Sequence, residues 1–271
     1  LISQGSDMLI FFLLCLVVGA IAGFLAGLFG IGGGLIVVPA LVYLLPLAGV
    51  PDQLLMSVAL GTSFATIVIT SASSAQRHHK LGNVLGFAVK FLAPAIMLSA
   101  FFCGLFIGNL PKQYTSKLFA GLVIYLAFKM IVSIKVKPTQ KSLTPLSSIV
   151  GGILIGSASS FAGIGGGGFI VPFLNSRGVE MRQAIGSSAV CGALLGVSGM
   201  LSYIIGGWNA QGMPDYSLGY VYLPAIIGIT GASIFTSKIG ADMVTRLPVS
   251  VLKRAFAIFL IIMALNMIFK G

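Results

Sequence analysis

The side chains and backbone positions able to do chemistry in this chain are glycines and hydroxyls, and they occur twice. Gly27-Leu28-Phe29-Gly30-Ile31-Gly32-Gly33-Gly34 leads into Leu35 to Val38 and Pro39, and Ser160-Phe161-Ala162-Gly163-Ile164-Gly165-Gly166-Gly167 leads into Gly168 to Val171 and Pro172. The offset is constant, since 163 − 30 and 172 − 39 both give 133. Gly19, Gly23 and Gly27 keep that register with Gly152, Gly156 and Ser160. Ungapped agreement of this kind marks an internal duplication. A second pair follows, Gly61-Thr62-Ser63 and Gly186-Ser187-Ser188, at an offset of 186 − 61 = 125 because the intervening loop is shorter. Glycine has no side chain to keep a ligand from the amides, and hydroxyls donate to oxyanions without adding charge. The candidate ligands for an anion are therefore Gly30, Gly32, Gly33, Gly34, Thr62 and Ser63 in one copy, and Gly163, Gly165, Gly166, Gly167, Ser187 and Ser188 in the other. A buried Ser or Thr can equally bond its own helix or pack between helices, and the small residues at Gly19, Gly23, Gly27, Gly192 and Gly196 read as close helix packing.

These residues need a scaffold, and composition supplies its class. Of 271 residues 57% are hydrophobic and 8% charged, against about 25% charged in a soluble domain. The expectation is an all-α polytopic membrane protein. Apolar runs long enough to cross the hydrocarbon core extend over Met8 to Phe29, Leu54 to Ala75, Val84 to Gly108, Tyr114 to Ile134, Leu146 to Ala162, Gln183 to Ile205, Leu218 to Ile239 and Pro248 to Phe269. Shorter runs, Ile31 to Leu45 and Ile164 to Leu174, follow the glycine clusters. The organisation is repeat one over 1–134, a cytoplasmic linker over 135–144 and repeat two over 145–271. Each repeat holds five segments. If the short ones only dip into the bilayer, eight full crossings give the same pattern.

The net charge of +11 is better read as topology than as a nucleic-acid surface, because short cytoplasmic loops collect Lys and Arg. Pro46 to Gln53, with Asp52, goes outside. Gln76 to Asn83, with Arg77 and Lys80 beside His78 and His79, goes inside. In the second half Asn175 to Arg182 is basic and inside, Gly206 to Ser217 carries only Asp215 and is outside, and Lys238 to Arg254 returns inside. Equivalent loops change sign between the copies, so the repeats are expected to be inverted. Cys15, Cys103 and Cys191 lie far apart in apolar runs and read as small buried hydrophobes. Leu1 to Asp7 reads as a processed end, with no basic-fronted signal peptide.

Inverted repeats with interrupted helices are the architecture of many secondary transporters, with the substrate near the midplane. The second short helix, about 11 residues and roughly 16 Å long, would bring free N–H groups and a positive dipole end into the membrane interior. With both glycine hairpins, Pro39 and Pro172, and the five-plus-five hydropathy in place, the chain resembles the TauE/SafE sulfite exporter family, also called the four-toluene-sulfonate uptake permease family. That resemblance implies a multi-pass transporter of the bacterial inner membrane whose substrate is a small sulfur-containing anion such as sulfite or an organosulfonate. The family's glycine signature falls on Gly30, Gly32, Gly33 and Gly34 and on Gly163, Gly165, Gly166 and Gly167. Leu35 against Gly168 departs between the copies and points to a looser second turn.

No enzyme, cofactor, metal or nucleic-acid partner is expected; the lipid bilayer is, and a homodimer and a monomer are both compatible with the chain. Gly163 to Gly168 matches G-x-G-x-x-G formally but follows an apolar helix rather than a strand. Gly196-Val197-Ser198-Gly199 looks like the G-x-S-G of rhomboid intramembrane proteases, but no histidine follows Ser198. All five acidic residues, Asp7, Asp52, Glu180, Asp215 and Asp242, fall in loops or at segment ends. Proton and sodium sites usually rely on carboxylates inside helices, so uncoupled export is the first expectation; His78 with His79 reads as a solvated basic loop, the alternative being that the pair carries protons if the loop folds inward. The alternatives are proton-coupled uptake of organosulfonates and an anion channel on the same repeat.

Overall fold

In hydrocarbon every backbone N–H and C=O must be satisfied within the chain, and a helix does this locally. The computed structural model describes residues 2–107, 114–115, 117–119, 121–122, 124–125, 142–244 and 258. Their apolar runs form α1 (Ile2–Phe29), α2 (Gly34–Leu44), α3 (Leu55–Lys80), α4 (Gly86–Ile107), α5 (Pro145–Ala162), α6 (Gly167–Ser176), α7 (Met181–Gly206) and α8 (Leu223–Met243). Six of these, all but α2 and α6, are long and apolar enough to cross a membrane, which makes the chain an all-α multi-pass membrane protein. The short helices have 11 and 10 residues, about half the core at 1.5 Å per residue. Of the expected linker only 142–144 are described, the segment Pro248 to Phe269 lies almost wholly outside the described residues, and so does most of Tyr114 to Ile134.

Sequence chemistry sets the ends. Thr144 caps α5 in a reciprocal box, accepting from Ser147 N at 3.3 Å while Ser147 Oγ accepts from Thr144 N at 3.1 Å. Pro145 at the first helical position has no N–H to leave unsatisfied there. At the far end of α5, and of α1, Gly163 (φ 56) and Gly30 (φ 67) take the left-handed conformation and stop the helix. Two boundaries differ from the sequence reading. A two-stranded hairpin, β1 (Ser217–Leu218) with β2 (Val221–Tyr222), precedes α8 where helix was expected. Helix α3 continues past Ala75 to Lys80, so Arg77 to Lys80 form its last turn rather than a loop.

Small residues set which helices touch. On α1, Gly19 faces Ile229, Gly23 faces Ser233 and Thr236, and Gly27 faces Ser237 and Ala241, so α1 and α8 run parallel. The copy repeats this: Gly152 faces Leu92 and Ala95, and Gly156 faces Ile96 and Ser99. Ser160 Oγ, one turn on, donates to Ala100 O at 3.0 Å. A Cβ at Gly19 or Gly27 would overlap a carbonyl of α8, which is the close packing expected of four-residue small spacings.

Helices α3 and α7 cross antiparallel at the centre, with Gly61 against Tyr203, Phe64 against Gly199, Ile67 against Gly196 and Ser71 against Gly192. Hydroxyls join α3 to α8 in parallel, Thr70 to Ser233 at 2.8 Å and Ser237 to Ser73 at 3.0 Å. Ser198 Oγ donates to Met97 O, and Ser202 packs on Gly104, joining α7 to α4 in parallel. Thus α1, α3 and α8 point one way and α4, α5 and α7 the other. Arg77 and Lys80 at the end of α3, Arg182 at the start of α7 and Lys238 near the end of α8 gather at one end. Asp52 and Asp215 lie in the connections at the other, where a Cβ on Gly212 would stand 3.5 Å from Pro51. Cys15, Cys103 and Cys191 are free thiols, the first and last buried.

Candidate functional site

The eight glycines singled out in the sequence meet at one place. A Cβ on Gly32 would lie 3.2 Å from Gly165 Cα, and one on Gly165 would lie 2.9 Å from Ile31 O. A Cβ on Gly34 would overlap Gly163 O, and one on Gly167 would overlap Gly30 O. The two hairpins are in backbone contact, and all residues of 30–34 and 163–167 are buried. Only glycine permits this approach.

Both short helices begin there. Gly33 and Gly166 are their N-caps, each left-handed (φ 83 and 74) and each without a side-chain cap. Among the described residues the amides of Gly34 and Leu35 in α2, and of Gly167 and Gly168 in α6, have no backbone acceptor. These are the first N–H groups of each helix, which the helix itself cannot satisfy. They sit at the positive ends of two dipoles, in a buried region with no charged side chain among the glycines, and an anion is the ligand such a place suits. The copies differ at one point. Gly32 is left-handed (φ 71) whereas Gly165 is not, and only in the second copy does Gly166 N turn back to Ile164 O, at 2.7 Å. The cap dihedrals themselves agree closely, so Leu35 against Gly168 leaves the helix start unaltered.

The four hydroxyls are placed in matching pairs. Ser63 Oγ donates to Gly163 O and Ser188 Oγ donates to Gly30 O, both at 2.9 Å. Each copy's serine thus holds the carbonyl at which the other copy's helix stops, and its proton is engaged by the chain. Thr62 Oγ1 accepts from Tyr222 N at 3.0 Å and Ser187 Oγ accepts from Leu85 N at 2.8 Å. These two hold the backbone entering α8 and α4.

A hydroxyl outside that set lies against Gly32 and Gly192 at the crossing. Ser71 is 1% exposed, and its Oγ has no hydrogen-bond partner among the described residues. It would stand 2.8 Å from a Cβ on Gly32 and 3.3 Å from one on Gly192. The signal was present in the sequence: Ser71, Ser74 and His78 repeat at i, i+3 and i+7, one face of a helix. Ending α3 at Ala75 hid it. His78 is fully buried, which corrects its reading as part of a solvated loop. Among the described residues no group of His, Cys, Asp and Glu side chains is arranged to hold a metal ion.

A profile of the sulfite exporter TauE/SafE family matches residues 15–267, a span containing both hairpins. The chain belongs to the sulfite exporter TauE/SafE family. A probable membrane transporter protein of Haemophilus influenzae is 67% identical over 264 residues, 97% of this chain and 100% of that one. A probable membrane transporter protein of Methanocaldococcus jannaschii is 32% identical over 231 residues, 84% of each chain. One of Bacillus subtilis is 24% identical over 289 residues, covering 96% of this chain and 98% of that one. No solved structure matches the chain. As a TauE/SafE member the protein is a membrane transporter, and among the described residues the first amides of α2 and α6 at its glycine crossing have no backbone acceptor.

Proposed function

We propose that this TauE/SafE protein moves a small sulfur-containing oxyanion, sulfite or an organosulfonate, out across the bacterial inner membrane, holding it at the glycine crossing. The observation that carries this reading is the convergence of two helix N-termini, with unpaired amides, on one buried uncharged point. A sulfur oxyanion presents several acceptors to such donors. Gly30, Gly32, Gly33 and Gly34 with Gly163, Gly165, Gly166 and Gly167 form the cradle. Ser63 and Ser188, with Thr62 and Ser187, fix its shape from behind. Ser71 adds a hydroxyl at the crossing that has no hydrogen-bond partner among the described residues.

The repeats are inverted in this account. Its support is that α1, α3 and α4 each run opposite to their copies α5, α7 and α8. The basic end is cytoplasmic by the positive-inside rule. With the cytoplasm negative, each charge carried out gains about 2.3 kcal/mol per 100 mV, so the outward movement of a divalent anion is downhill and requires no coupled ion to drive it.

The test is sulfite efflux from proteoliposomes, with potassium and valinomycin setting the potential and taurine, sulfoacetate and sulfate as competitors. Efflux that saturates and follows the potential is the expected result. Flux that rises without limit would make the protein a channel, and no sulfite flux under any gradient would remove the proposed cargo.

A further inference from the structure

His78 sits in the last turn of α3 at 0% exposure. Its Nε2 lies 3.1 Å from Gly27 O. A carbonyl only accepts, so Nε2 carries the hydrogen and Nδ1 presents a lone pair. That Nδ1 is buried and has no partner among the described residues, and the same holds for Ser74 Oγ and Ser71 Oγ. The three lie on one face of α3, over about 10 Å of its axis. The row begins against Gly32 and Gly192 at the crossing and ends among the basic residues.

A purely structural histidine needs the Gly27 bond and nothing more. It does not call for two further unsatisfied hydroxyls in line with it. Buried polar atoms without protein partners are the ones ordered water satisfies. The duplication does not impose the row either, because at the 125-residue offset Ser71, Ser74 and His78 correspond to Gly196, Gly199 and Tyr203. One repeat carries it alone.

We propose that His78 is a proton-binding site connected by a file of water along Ser74 and Ser71 to the glycine crossing, so that proton and anion occupancy are linked. The linkage rests on the anion-transport reading; the proton site does not. A proton arriving along the file is taken up at Nδ1, giving an imidazolium whose charge offsets that of an anion at the crossing in a low-dielectric interior. Linkage is reciprocal, so each occupant favours the other.

The charges on the elements around His78 are Arg77 and Lys80 with His79 on α3, Lys238 and Asp242 on α8, and Arg182 in the first turn of α7; the last turns of α1 carry none. Asp242 is held by Arg77 at 2.5 and 3.0 Å, and His78 Nδ1 has no hydrogen-bond partner among the described residues. Asp242 therefore does not take the Nδ1 position.

The chain has two histidines, so His79→Gln leaves His78 as the single imidazole. In that protein in nanodiscs, nitrogen-15 histidine spectra should show the Nε2–H tautomer converting to imidazolium as the pH is lowered to about 5. Added organosulfonate should move the midpoint upward; sulfite, which titrates in this range itself, is the second probe. A ring that stays neutral throughout overturns the proposal. Titration that no added anion moves, together with no anion flux, keeps the proton site and removes the cargo reading. In liposomes, His78→Gln keeps an amide donor for Gly27 O, so potential-driven flux should persist while the response to a pH gradient is lost. An unchanged response to the pH gradient in that variant overturns the linkage.

Discussion

Two kinds of serine meet at the glycine crossing, and substitution separates them. Removing Ser63 or Ser188 leaves the Gly163 or Gly30 carbonyl without its buried donor, which should lower stability by about 1–3 kcal/mol. Thermal unfolding of Ser63→Ala and Ser188→Ala in detergent checks this, and the near-identical geometry predicts near-identical losses. Ser71→Ala orphans nothing, so its midpoint should match the parent within about 0.5 kcal/mol. The pairing of Gly61-Thr62-Ser63 with Gly186-Ser187-Ser188 was legible in the sequence. What these hydroxyls bond was not, because a carbonyl of the opposite repeat and a bound oxyanion are both acceptors. Their partners lie 100 and 158 residues away, and no local pattern encodes such a distance.

At the scale of the elements, the fold depends on helices approaching until their backbones touch. Gly34→Ala and Gly167→Ala would each drive a methyl into the opposing hairpin's carbonyl, with overpacking of about 1–3 kcal/mol and loss of the crossing. Gly86→Ala is the control, since nothing lies within 4 Å of its added Cβ, and its unfolding should be unaffected or slightly delayed. Equal midpoints for all three would mean that the hairpins do not touch. The Arg77–Asp242 pair is 40% and 38% exposed, so Arg77→Ala should leave the unfolding midpoint close to the parent's. Apolar run length and the glycine spacings identified the six long helices among the described residues, the two short ones and the small-residue faces. They missed the β1–β2 hairpin, because Leu218 to Tyr222 is as apolar as the helix it precedes. There the arrangement is set by Thr62, which takes up Tyr222 N. They also stopped α3 early, since charges at a helix end resemble a loop when burial is unknown.

For the whole molecule, the account requires the basic and acidic ends to face opposite compartments. In a protein freed of Cys15, Cys103 and Cys191, single cysteines at Lys80 and at Gln53 should label with an impermeant maleimide from opposite sides, Gln53 from outside. Labelling of both from one side would remove the topology on which the export direction depends. The sign pattern of the loops is what the sequence offers for this proposed topology; the meeting of the two hairpins needed the three-dimensional fold, since it joins residues 133 positions apart. The central claim is that the anion is held at that meeting. Sulfite efflux kinetics of Ser71→Ala against the parent chain test it most directly, because this substitution removes a hydroxyl at the crossing and breaks no bond of the fold. Saturable efflux with a KM raised roughly tenfold, the loss of one hydrogen bond to a charged group, is expected at an unchanged unfolding midpoint. A folded variant with the parent's KM would contradict it.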